Sequence, residues 1–188
     1  MVEAILHARA DRSETEPTGT WEALLKSNGV FDGVSIISLE SQRRGLTRIA
    51  DREPVADRPI KPGEHFCFRI DSPIAGTLIA FQQYLSLWYR LDLTESKTFL
   101  NVVAGMQHIP FDPTTSEIVA LSEEEHFEKH KYVFVICDAQ TVERIAAITV
   151  SNAAIPQAAM NEMAAALSVI DERARSILQI NVLFAKPG

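Results

Sequence analysis

The sequence predicts a mainly β protein, an antiparallel β-sandwich with one long C-terminal α-helix packed on it; an α+β fold is the alternative. Three observations carry this. First, Leu85, Leu87, Tyr89, Leu91 and Leu93 fall on every second position, with Ser86, Trp88, Arg90, Asp92 and Thr94 between them. Such alternation is the signature of a strand with one apolar and one polar face. Second, short apolar runs separated by Gly, Pro and Asp turn signals recur along most of the chain, as in antiparallel β proteins. Third, the period changes after Pro156. Ile155, Ala159, Met163, Leu167, Ile170, Ala174 and Ile177 recur at steps of three and four, which is one face of a helix.

Taken in order, VEAILHA at the start reads as a short strand or helix, and Asp11–Gly19 as a charged loop. Thr20 is placed to cap a short helix over Trp21–Ser27, with Asn28-Gly29 as its stop. VSIISL, ending at Leu39, is a strand, and a brief strand fits Leu46–Ile49. Lys61-Pro62-Gly63 is a turn. His65–Ile70 follows as a strand whose Phe66, Phe68 and Ile70 share a face. Thr77–Leu93 is 17 residues without Gly or Pro. That is too long for one strand, so a turn near Gln82–Leu85 makes it a hairpin.

Thr98–Val103 and Glu117–Leu121 are expected strands, with a short AGMQHIP segment between them. SEEEHFEKHK reads as a short charged helix or an exposed loop. Tyr132–Cys137 is apolar on both faces, which suits a central strand, and Val142–Val150 is read as its antiparallel partner. Pro156 opens the helix over 156–178, and Ile180, Val182 and Phe184 mark a last strand. Residues 1–60 are read as an N-terminal segment packed on a main domain of residues 61–188, because they are short of apolar mass for a core of their own.

Of the 188 residues 46% are apolar, enough for a core, and the formal net charge is −7. An acidic chain repels phosphate backbones, and Arg43, Arg44 and Arg48 are the densest basic group. No nucleic acid and no membrane surface are therefore expected as partners. No secretory leader and no membrane-spanning apolar run is seen, so a cytoplasmic location is expected. Cys67 and Cys137 each lie in an apolar run. They read as buried thiols, and whether they pair is left open.

Motifs of chemistry are sparse. His126 and His130 stand four apart with Glu128 between them, so a helix there would present both imidazoles on one face. However, Phe127 occupies the position after the first His where a zinc protease has its Glu. His65, His108, Ser72 and Asp112 offer the parts of a Ser-His-Asp arrangement without a G-x-S-x-G elbow. Gly-rich phosphate loops and C-x-x-C pairs are missing, so no cofactor is expected. On the outward face of the 85–93 run, Trp88, Arg90 and Asp92 would project together as a binding surface. The competing use of Trp88 is packing beneath the C-terminal helix or residues 1–60. Met160, Met163 and Ala164-Ala165-Ala166 offer an apolar stripe for the core or for a second copy of the chain.

KPGEHFCFRIDSP, the GTLIAFQ strand, AGMQHIPF and the following EIVALSEEE together resemble a bacterial β-sandwich domain of unknown function. That domain is attached to kinase-like, caspase-like and other effector proteins. The resemblance spans Ile60 to Ile136, under half of the chain, and Gln82-Gln83-Tyr84 stands where the family has a turn glycine. It implies an accessory or interaction module and supplies no catalytic residues. The leading expectation is thus a non-enzymatic module that binds a protein partner or small ligand. A small metal-dependent hydrolase using His126, Glu128 and His130 is the second reading. A subunit that forms a homodimer or larger homo-oligomer is the third. Enzymatic activity is left open, with the balance against it.

Overall fold

In a computed structural model of the chain, residues 19–39, 59–93, 99–149 and 153–186 are described. The expected elements at VEAILHA and Leu46–Ile49, and the arginines at 43, 44 and 48, lie outside the described residues. The fold is mainly β, with two sheets and, among the described residues, three α-helices.

The larger sheet is built around β4 (Gly76–Tyr84) and β8 (Glu128–Cys137), which run antiparallel side by side. On the far side of β8 lies β10 (Ser176–Phe184), antiparallel, then the two-residue β1 (Gly29–Val30), parallel to β10. The other edge of β4 is divided between two partners. Its first half pairs with β6 (Phe99–Val102) and its second half with β5 (Leu87–Leu91), which in turn meets β9 (Ala154–Ile155). The expected hairpin is therefore present, with its turn at Leu85-Ser86. Both residues have positive φ, 47° and 66°, which suits the twist of a two-residue hairpin. The smaller sheet has the order β2 (Val34–Ser38), β3 (Phe66–Ser72), β7 (Gly105–Ile109).

Alternation along the strands divides the apolar residues between two cores. Leu78, Ala80, Phe134, Ile136, Leu178 and Val182 of the larger sheet share one cluster with Ile36, Phe66, Phe68, Ile70 and Ile109 of the smaller. On the opposite face, Ile79, Phe81, Val133, Val135 and Ile177 meet the helices. Residues 132–137 are accordingly buried without a break, as their apolar run requires.

The helical layer differs from the expectation in two places. α1 (Trp21–Asn28) is where the sequence puts it, with Thr20 Oγ1 accepting from the Ala23 N–H at 3.2 Å. But 139–148 forms a helix, α2 (Ala139–Ile148), and not the return strand expected over Val142–Val150. Asp138 caps it, Oδ1 accepting from the Thr141 N–H at 2.9 Å and Oδ2 from the Thr141 hydroxyl at 2.7 Å. Val142 and Ile145, three apart, then fall on one buried face. The helix expected over 156–178 runs as α3 from Gln157 only to Ser168. A 3-10 turn, Glu172–Ala174, follows, and β10 takes the rest. Ile177 continues the helical spacing by coincidence; in β10 it pairs with Val135 and packs under the helices.

Glu117–Leu121 makes only isolated bridges, Ile118 with Phe111 and Leu121 with Phe66. Both cysteines are buried and no disulfide joins them. Cys67 is in a small cluster with Ile37 and Leu39, and Cys137 on the helix-covered face of the larger sheet. No helix among the described residues is long and apolar enough to cross a membrane.

Candidate functional site

Of the three residues expected on an outward binding face, Trp88 and Arg90 are placed otherwise. Trp88 is only 4% exposed and packs edge-on against Trp21, ring centroids 5.7 Å apart. Its face of β5 is thus covered by the helical layer and β9, the competing use named above. Arg90 reaches the end of α2, where its Nη1 donates to the carbonyls of Ala146 (3.0 Å) and Thr149 (2.5 Å). A cation there satisfies carbonyls that the helix leaves unpaired and complements its dipole. Asp92 is exposed and stands 3.6 Å from the Arg90 guanidinium. Outward placement fails for Trp88 because the larger sheet is an inner layer, and both of its faces are needed to cover cores.

His126, Glu128 and His130 do not converge. β8 begins at Glu128, so no helix aligns the two imidazoles. Tyr84 contacts both rings, at 4.9 Å from His126 and 4.7 Å from His130. His130 is fully buried with its Nδ1 2.5 Å from the Gln82 amide nitrogen. Exposed Glu128 pairs with Lys186 at 2.8 Å, while His126 pairs with Glu123. Among the described residues no group of three His, Cys, Asp or Glu is placed to hold a metal.

Nor does a Ser-His-Asp arrangement form. Ser72 Oγ donates to the Ile74 carbonyl, and Asp112 Oδ1 accepts from the Thr114 N–H. His108 faces Arg69 across β3 and β7, and burial, then the Arg69 charge, hold its pKa below the usual value. His65 is exposed at the start of β3. Met160, Met163 and Ala164 are buried in the core beneath α3.

What the sequence reading missed is a polar row on the helix-covered face of the larger sheet. Strand register puts Trp88 opposite Gln83, Gln83 opposite Lys131, and Lys131 opposite Asn181. Gln179 lies two residues back along β10, on the same face. α1 covers this face as far as Asn28 and then stops. The result is a cleft of about 350 Å³ between the last turns of α1, Phe31 and the row. It adjoins a hollow of about 270 Å³ beside the Leu85-Ser86 turn, with Gln83 and Lys131 lining both.

Two residues that line the cleft each carry a buried polar atom with no hydrogen-bond partner among the described residues: Trp88 Nε1, a donor, and Gln179 Oε1, an acceptor. The Gln179 side chain is held by its other end, Nε2 donating to the Leu25 carbonyl at 3.3 Å. Lys131 is half-buried and makes no ion pair with a described residue. Burial, and secondarily Lys129, lower its pKa, against the opposing pull of Glu22. Glu22 Oε2 itself accepts from Gln157 Nε2 at 3.1 Å.

No protein-family model, curated protein or solved structure matches the chain.

Proposed function

We propose that the protein is a non-enzymatic binding module and that its ligand site is the cleft between α1 and the row Trp88–Gln83–Lys131. The observation that carries this is the pair of unpartnered buried atoms, Trp88 Nε1 and Gln179 Oε1, on two residues that line one concavity. Buried polar groups are nearly always paired, and a bound molecule is one way such a pair is satisfied. The cleft volume lies at the lower end of the range for small-molecule sites. Among the described residues no nucleophile–base pair lines it, which favours binding over transformation. One core shared by the two sheets supports reading the body as a sandwich with a helical layer. Such a module is what the expected resemblance over residues 60–136 to an accessory domain implies, and a cytoplasmic setting is proposed with it.

A small-molecule fragment screen followed by amide and indole NMR tests it. Binders are expected to move the Trp88 indole N–H and the amides of Gln83, Lys131 and Gln179. A screen whose binders leave these signals unmoved, or move only signals elsewhere, rejects the site.

A further inference from the structure

Charge in and beside the cleft is opposite to that of the whole chain. Among the described residues, three lysines, Lys26, Lys129 and Lys131, and one carboxylate, Glu22, line the cleft or its adjoining hollow, in a protein of net charge −7. Glu22 already accepts a bond from Gln157, whereas Lys131, two strands from Trp88 with Gln83 between them, makes no ion pair with a described residue. A concavity in which one sign of charge predominates, with low-dielectric walls, concentrates ligands of the opposite sign.

Resting on the reading just given, we propose that the cleft takes a small organic carboxylate that also carries an O–H or N–H donor. Lys131 and the Trp88 indole N–H receive the carboxylate. Gln179 Oε1 accepts from the ligand's donor. Leu25 and Phe31 cover an apolar remainder. A monoanion fits better than a phosphate ester. Lysine offers a point charge where phosphate sites favour a guanidinium fork or a helix N-terminus. Here it is the C-terminal end of α1 that faces the cleft, and its partial negative charge opposes a dianion.

The test titrates the full chain with three probes of one shape: mandelate, phenylacetate (no hydroxyl) and methyl mandelate (no charge). Binding is read from the Trp88 indole N–H and the Gln179 amide in NMR. The expected order is mandelate, then phenylacetate, then methyl mandelate. Lys131→Gln is expected to weaken mandelate roughly 10- to 100-fold, the size of one charge-assisted hydrogen bond, and Lys131→Arg to restore part of it. Lys131 is half-buried, so both variants should fold, which the amide spectrum verifies. Equal binding of methyl mandelate, or of mandelate to Lys131→Gln, overturns the carboxylate while leaving the cleft as a site. Equal binding of phenylacetate and mandelate removes the donor requirement. If none of the probes moves the cleft signals while the fragment screen does, the ligand class is wrong; if neither does, the site itself falls.

Discussion

Replacing His130 by Phe should flatten the acid limb of the protein's stability curve. His130 is 0% exposed, and its ring is enclosed by Tyr84 from β4, Tyr132 from β8 and Phe184 from β10. The Gln82 amide nitrogen donates to Nδ1, so the imidazole is neutral with its proton on Nε2, which has no partner. A second proton would set two donors against each other and charge a ring in an apolar setting. Burial accordingly lowers the folded-state pKa below 6.5; Glu123 opposes this, the charge of His126 adds to it and the His126 backbone opposes it. Above 6.5 both states hold the ring neutral and stability is complete. As the pH falls from 6.5 toward the folded-state pKa, the unfolded chain takes up the proton first and stability drops. One such group gives a limiting slope of about 1.4 kcal/mol per pH unit. Urea unfolding at pH steps from 7.5 to 5 measures it. His130→Phe should start about 1–3 kcal/mol less stable, because the Gln82 donor loses its acceptor. It should then lose less with acid, keeping only the shallower dependence that His108, also lowered by burial, supplies. Parallel curves for wild type and variant would refute the reasoning.

Trp88→Ala should cost about 3–5 kcal/mol, the range for a buried aromatic, measured by urea unfolding at pH 7.5. A loss under about 0.5 kcal/mol, typical of a surface site, would mean that the side chain is not packed against Trp21. Arg90→Met keeps most of the apolar stem and removes the donors to Ala146 and Thr149. It should cost about 1–3 kcal/mol and speed amide exchange in the last turn of α2 ahead of its first turn. Unchanged exchange there would show that the guanidinium does not hold the helix end.

How much of this was legible in the sequence follows from where local signals agree with tertiary ones. The Thr20 cap, the Phe66/Phe68/Ile70 face and the double-sided run at 132–137 all reappear, since each is a local pattern that the packing reuses. Val142–Val150, following the Asp138-Ala139-Gln140 turn signal, reads as a strand returning antiparallel to 132–137. The Asp138 cap, three residues before Thr141, carries the opposite message and prevails. Beyond Ser168 the apolar positions Ile170, Ala174 and Ile177 keep a helical period across a turn that ends the helix. Spacing alone cannot tell such a run from a continuing one. For Trp88 the error was one of layer count. An alternating strand has a wet face only in a sheet with one neighbour, and this sheet has helices on one side and the smaller sheet on the other.

The layering also explains why the cleft is where it is. Along the helix-covered face the apolar series Ile79–Phe81, Cys137–Val135–Val133 and Ile177 end at Gln83, Lys131 and Gln179, all at the same end of the sheet. Polar residues continuing an apolar stripe on three adjacent strands mark the line where the cover stops. That line was written in the sequence but needed the register to be read. Gly29 fixes it. The sequence suggests a helix-stop glycine of the left-handed kind, yet its φ is −78°, open to any residue. Its requirement is close approach: a Cβ at this position would overlap the amide nitrogen of Gln179 and crowd the Leu25 carbonyl. With that space empty, Gln179 Nε2 rests on the Leu25 carbonyl and its Oε1 is left unpartnered. The residue that ends α1 thus also sets the acceptor that a ligand would meet.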